Sequence, residues 1–395
     1  MYCFFMYNFD ELIPRRGTSS YKWDDPHDPP DTIALWVADM DFPAPREVTR
    51  ALLERARHPV YGYSRVSESL SEAFIAWQER RNGWRIDGDW IVPSPGVVPV
   101  LHFAIEAYTN EADGVVIQTP VYPPFSRAVK LLGRRLVLNP LVRDGLRYRM
   151  DLAQLESVID AGTKLLLLCS PHNPVGRVWS AAELRELGEL CRRRGLTIVS
   201  DDIHCDLIMP GGRFVPLVSL GEEFAQTSVT CLAPSKTFNI PGVGSAFTVI
   251  PNPKLRAAFR RAGEKTALLS LPGLYNAVAA EAAYRFGGPW LDELLPYLRD
   301  NFLFLKDFLA KEMPSVAPAQ LEGTYLAWLD FSAYGLADGE VTRLLREEAR
   351  VRLNDGPSFG MGGEGFQRLN FGCPRAVLKE ALTRVAAVFS AYEKN

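Results

Sequence analysis

Between residues 164 and 202 the chain reads KLLLLCSP, then, after a short linker, SAAELRELGELCRRRG, then LTIVSDD. Two apolar runs too short for buried helices flank one amphipathic stretch, and that order leaves few folds open. Ser180 with Glu183 forms a capping box at the start of the middle segment, leucines recur at helical spacing, and Gly195 ends it. The segment is therefore a β-α-β unit. GVVIQTP (114–120) and SVTCLAP (228–234) are further buried-strand candidates. Repetition of the unit predicts an α/β fold, with a mostly parallel sheet covered by helices on both faces.

The chain has 395 residues, more than one hydrophobic core usually serves, so two domains sharing a cleft are expected. LEGTYLAWLDF (321–331), EVTRLLREEARVRLNDG (340–356) and FQRLNFGCPR (366–375) read as a smaller α+β unit, with the Pro-rich residues 1–47 packed against it. The expected division is a large domain over 48–285 and a small domain from 1–47 and 286–395. A net charge of −3, with no basic block or acidic tail, gives nucleic acid or a membrane surface nothing to bind. No apolar run approaches the roughly 18 residues of a membrane span. MYCFFMYNFDEL lacks the basic start and small-residue cleavage site of an export signal, and Met6 is a second candidate start. Cys3, Cys169, Cys191, Cys205, Cys231 and Cys373 form no C-x-x-C pair, so reduced thiols in a cytoplasmic protein are expected. Cys169 and His172, with His204 and Cys205, match no common zinc spacing, and no metal site is expected.

Parallel sheets bind ligands beyond the carboxyl ends of their strands, so the residues just after each apolar run carry the argument. Asn173 follows one, Asp201 and His204 another, Lys236 a third and Tyr122 a fourth. In VPSPGVVPVLHFAIEAY (92–108) a Gly-containing turn opens a helix whose free N–H groups suit a phosphate. Singly, each has an ordinary reading: a solvated lysine, a turn-capping aspartate, a common Asn-Pro turn, a packed tyrosine. Either Asp201 or Asp202 could be the one that points inward. Together, an amine, a fixed carboxylate, an aromatic plate and an anion cradle are what pyridoxal 5′-phosphate needs.

The motifs NFDELIPRRGTSSYKWD, LWVADMDFPAP, YGY, SPGVVPVL, TPVYPPF, PHNPVGRVW, SDDIHCDL, APSKTFNIPG, RLNDGPSFG and RLNFGCPR stand in one order from about Asn8 to the C-terminus. On these the chain resembles the fold-type-I pyridoxal-phosphate enzymes of the class I/II aminotransferase superfamily, and in particular the MalY/PatB-type cystathionine β-lyase (C–S lyase) branch. The resemblance implies that Lys236 bonds the cofactor covalently and later acts as base at the substrate Cα. It implies that Asp201 faces the pyridine nitrogen, Asn173 the phenolic oxygen and Tyr122 the ring face. Gly96, Val97 and Val98 would offer N–H groups to the phosphate, helped by Ser235 and by Tyr61 of the neighbouring subunit of a homodimer. Ala233 and Gly244 stand where the wider group often has a phosphate-binding Ser and Arg. His204 would contact the phenolic oxygen or support Asp201 from behind. Arg375 resembles the clamp on the substrate carboxylate, with Asn354 and the backbone around Ala38 completing that wall.

The implied reaction is β-elimination from cystathionine or a related L-cysteine S-conjugate, giving thiol, pyruvate and ammonia. Aminotransfer to a 2-oxo acid is the alternative, and a cofactor-holding regulatory protein a third. GMGGEG (360–365) fits G-x-G-x-x-G in letters, but it follows no strand and opens no helix, so it is read as a flexible loop of the small domain.

Overall fold

The computed structural model describes residues 7–266 and 273–393. Cys3 and Met6 therefore lie outside the described residues. Seven strands build the main sheet: β1 (Ile91–Ser94), β2 (Gly114–Ile117), β3 (Arg135–Leu138), β4 (Thr163–Cys169), β5 (Thr197–Asp201), β6 (Ser228–Leu232) and β7 (Ala246–Val249). Their order is β1-β7-β6-β5-β4-β2-β3. β7 runs antiparallel to both its neighbours, and the other neighbouring pairs are parallel.

The apolar run of β4 shows why this sheet is buried on both sides. Leu165, Leu167 and Cys169 point into one core and Leu166 and Leu168 into another. Alternation by two residues makes a strand that is apolar throughout serve two faces. Helix α1 (Val97–Tyr108) fills the first core with Val100, Leu101 and Ala104. Helix α2 (Ala181–Arg194) fills the second with Leu184, Leu187 and Cys191. The capping box of Ser180 and Glu183 forms as read, and Gly195 closes the helix at φ +70°, where glycine is unstrained.

After β6 the chain makes the one-turn helix α3 (Pro234–Thr237). The long helix α4 (Gly288–Glu312) leads to a four-stranded antiparallel sheet of β8 (Ala317–Pro318), β9 (Leu326–Asp330), β10 (Asn354–Asp355) and β11 (Phe366–Asn370), in the order β8-β9-β11-β10. Helix α5 (Arg375–Phe389) follows. In the N-terminal segment, Ile33–Ala34 pairs in parallel with Val351–Arg352.

The GMGGEG stretch is a packed turn ahead of β11 rather than the flexible loop expected. Gly360, Gly362 and Gly365 have φ near +80 to +90°, and a Cβ on Gly363 would fall 2.0 Å from the Gly356 carbonyl oxygen. Among the described residues no helix is long and apolar enough to cross a membrane.

Candidate active site

The carboxyl ends of β4, β5 and β6 open onto a cavity of about 220 Å³, walled on the other side by the start of α1 and by Ala38. Gly96, Val97, Val98, Tyr122, Asn173, Asp201, His204, Ser235, Lys236 and Ala38 all line it, as do Ala233 and Gly244. Residues spread over 200 positions thus meet because most of them end or follow a buried strand, while Gly244 leads into the antiparallel β7. Asp201 ends β5, and Lys236 sits on α3 immediately beyond β6.

Burial sets the electrostatics. Lys236 is held down to about 8, first by burial; Asp39 and Asp201 oppose the shift, and Arg368 adds to it. Its Nζ donates to the Ala38 carbonyl oxygen at 2.6 Å. Asp201 is pushed up to about 7 by burial, although the Ile203 N–H donates to its Oδ1 at 3.2 Å and the Lys236 charge pulls the other way. Among the described residues, no Lys or Arg lies within ion-pair distance of it. A buried carboxyl left in this state is suited to a cation that enters with a ligand. The open choice between the two aspartates is settled by the fold, because Asp202 points to the Ser200 hydroxyl behind the strand end.

His204 is buried and pushed down to about 3 by burial and by the Lys236 and Arg368 charges, so it is neutral. Its Nδ1 is buried without a hydrogen-bond partner among the described residues. The N–H groups at the start of α1 face the same space, where Gly96 is the residue before the helix. An amine of lowered basicity, a buried carboxyl with no cation at ion-pair distance among the described residues, a tyrosine ring and a helix N-terminus fit pyridoxal phosphate.

Two expected residues are elsewhere. Arg375 is not in the cavity: it opens α5, its Nε donates to Asn301 Oδ1 at 2.6 Å, and its guanidinium lies 4.8 Å from the centre of the Phe304 ring. Reading it as the carboxylate clamp is thereby corrected, since a side chain committed to α4 cannot reach the strand ends. Tyr61 is 61% exposed, and its hydroxyl donates to the Ala56 carbonyl at 2.8 Å, away from this chain's own cavity.

The arginine that does adjoin the site is Arg368, in the middle of β11 and buried. Its Nη1 donates to Asn173 Oδ1 at 3.0 Å, and its Nη2 to the Trp36 carbonyl at 2.8 Å and to Asn354 Oδ1 at 2.6 Å. Asn354, expected on this wall, is there as a partner of that guanidinium. Tyr325, whose hydroxyl shares the Ala38 carbonyl with Lys236, was also missed. The signal for Arg368 was available: an arginine inside the short strand-like FQRLNF must be paired if that strand is buried.

Fold and cavity together define the class, a fold-type-I scaffold with the amine site of a pyridoxal-phosphate enzyme. The chain belongs to the aminotransferase class I and II family, whose model matches residues 30–385. Within it, the chain is 43% identical over 387 residues to cystathionine beta-lyase PatB of Bacillus subtilis, covering 97% of this chain and 100% of that one. Cystalysin from Treponema denticola, solved with a pyridoxal 5′-phosphate cofactor, superposes with a TM-score of 0.94 at 35% identity, covering 98% and 100% of the two chains. A PLP-bound putative aminotransferase from Clostridium difficile superposes with a TM-score of 0.94 at 39% identity, covering 97% and 99%.

Proposed function

We propose that this chain is a pyridoxal-phosphate-dependent carbon–sulfur β-lyase acting on cystathionine or a related S-conjugate of L-cysteine. The observation that carries the reading is the meeting of Lys236, Asp201 and Asn173 in one cavity, with Arg368 bonded to its wall. The 43% identity to PatB supports lyase over aminotransferase.

Lys236 would hold the cofactor, Asp201 its ring nitrogen, Asn173 its phenolic oxygen and the α1 N-terminus its phosphate. When bound, the cofactor supplies an electron sink for the pair left at the substrate Cα. Arg368 would orient the substrate by its α-carboxylate, for which a planar fork is suited. Lys236 Nζ, kept partly neutral near pH 8 by burial, can then take the Cα proton. His204 stays neutral beside it and adds no competing charge. Tyr61 is exposed on its own chain, which suits a role at the phosphate of a second copy in a homodimer.

The test supplies cystathionine to the cofactor-loaded protein without any 2-oxo acid. Pyruvate and ammonia should appear, and Lys236→Ala should abolish both together with the cofactor's visible band. Amino transfer to a 2-oxo acid with no pyruvate release would overturn the lyase reading. A protein that holds the cofactor but turns over no amino acid would point to a regulatory role instead.

A further inference from the structure

The N-terminal side of the cavity is a strap, residues 36–42, whose backbone is tied down by two asparagines. Asn370 Nδ2 donates to the Val37 and Asp39 carbonyls, both at 2.6 Å. Asn239 Nδ2 donates to the carbonyls of Met40 and Phe42 at 2.9 and 2.8 Å, and its Oδ1 accepts the Met40 N–H at 2.8 Å. Ala38 is turned to the cavity, where its carbonyl receives Lys236 Nζ and the Tyr325 hydroxyl.

Asp39, the next residue, belongs to a four-charge network. Arg15 grips both of its oxygens, at 3.3 and 2.9 Å, and reaches Asp41 Oδ1 at 2.7 Å. Lys22, its side chain wholly buried, donates to Asp41 Oδ2 at 2.8 Å and to the Asp39 carbonyl at 3.1 Å, and its Nζ lies 3.6 Å from Asp39 Oδ1. Trp23 Nε1 adds a bond to Asp41 Oδ1 at 2.8 Å. Every carboxylate oxygen in the group is partnered, and two cations balance two anions.

The network shares the holding of this backbone with the asparagines, since Lys22 Nζ bonds the Asp39 carbonyl at 3.1 Å and Arg15 Nη1 the Met40 carbonyl at 3.4 Å, and its further, electrostatic effect falls on Lys236. Of the charges around that amine, Asp39 acts most strongly to keep it protonated, with Asp201 acting in the same direction and Arg368 against it. The other titratable neighbours, His204, Tyr325, Tyr122 and Cys169, are neutral, the last three because burial pushes them up. We propose that Arg15 and Lys22 are positioning residues for Lys236. Their clamp on Asp39 and Asp41 keeps the Ala38 carbonyl against the amine and offsets the carboxylate charge that would otherwise hold its proton. This rests on Lys236 being the cofactor-bearing amine.

The test compares Arg15→Gln, Asp39→Asn and the two combined, in the cofactor-loaded full chain. One readout is the pH midpoint of the cofactor's visible band. A second, after cofactor removal, is the pH dependence of Lys236 acylation by acetic anhydride, followed by peptide mass spectrometry. Arg15→Gln should raise both midpoints by about one pH unit, and Asp39→Asn should lower them. The double variant should return close to the parent, and Arg15→Lys should restore most of the shift. Shifts of the same sign in the two single variants, or none, overturn the proposal. If Arg15→Gln does not fold, the isosteric Asp39→Asn decides by its sign: a fall supports, and a rise or no change overturns. A parent protein with no visible band, whose Lys236 titrates like an ordinary lysine, overturns the functional reading itself, which keeps the two failures distinct.

Discussion

Replacing Arg368 by lysine keeps a positive charge in β11 but removes the fork. The parent side chain spends one nitrogen on Asn173 at 3.0 Å and the other on Trp36 and Asn354 at 2.8 and 2.6 Å, so its plane is fixed before substrate arrives. A hydrogen bond to a charged group contributes about 1.5–3 kcal/mol. Lysine cannot hold those three acceptors in one plane and still present a charged donor to the substrate carboxylate, so the loss of one such bond should lower the apparent affinity roughly 10- to 150-fold. The loss should appear in KM for cystathionine more than in cofactor content. Loss of donors to Asn173, Asn354 and Trp36 should also lower stability by about 1–3 kcal/mol, because an unsatisfied buried acceptor keeps its desolvation penalty. The assay is pyruvate release at varied cystathionine, with the visible band recorded on the same samples and thermal unfolding run in parallel. Arg375→Ala is the control, and its KM should stay within about twofold of the parent, since Arg375 is committed to Asn301 and Phe304. An unchanged KM in folded, loaded Arg368→Lys, or a larger effect from Arg375→Ala, would refute the reasoning.

Asp201 should leave a signature in the cofactor-free protein. Its folded-state value, about 7, lies above the usual 3.8, so its stabilising contribution is full below about pH 4 and is lost as the pH rises through 7. Between pH 4 and 7 the parent should therefore lose more thermal stability than Asp201→Asn; parallel profiles would contradict the assignment. Action of Tyr61 across a dimer is tested by mixing Tyr61→Ala with Lys236→Ala, each inactive alone. Random reassociation should recover about a quarter of the parent sites, and no recovery despite confirmed exchange of subunits would remove Tyr61 from the partner's site.

Much of the large unit was legible because its signals are local. The run LLLL in β4, the capping box at Ser180 and the stop at Gly195 are each decided within a few residues, and they force a parallel sheet with its ligand edge at the strand ends. That edge located Asn173, Asp201, His204 and Lys236 from the linear text alone. Strands β1, β3 and β7 were not singled out: a four-residue stretch has too little period to tell strand from helix, and theirs, unlike that of β2, carry a Pro, an Arg or a Thr among the apolar residues.

What only the tertiary structure decided are the facts that depend on pairing between distant segments. β11 carries two side chains that reach the neighbourhood of the cavity, Arg368 and Asn370, and its register against β10 sets Arg368 opposite Asn354. The strand-like FQRLNF hints that the first arginine of RLNFGCPR is paired, but the cavity's position relative to the two arginines comes from the fold, where the turn into α5 sends Arg375 toward α4. Likewise Asp201 and Asp202 are equivalent in the text, and the pleat of β5 turns one to the cavity and the other to Ser200. The bond between the strap's Ala38 carbonyl and Lys236 spans 198 positions of sequence separation. Local propensity carries no information over that distance, and only a packed core can impose it.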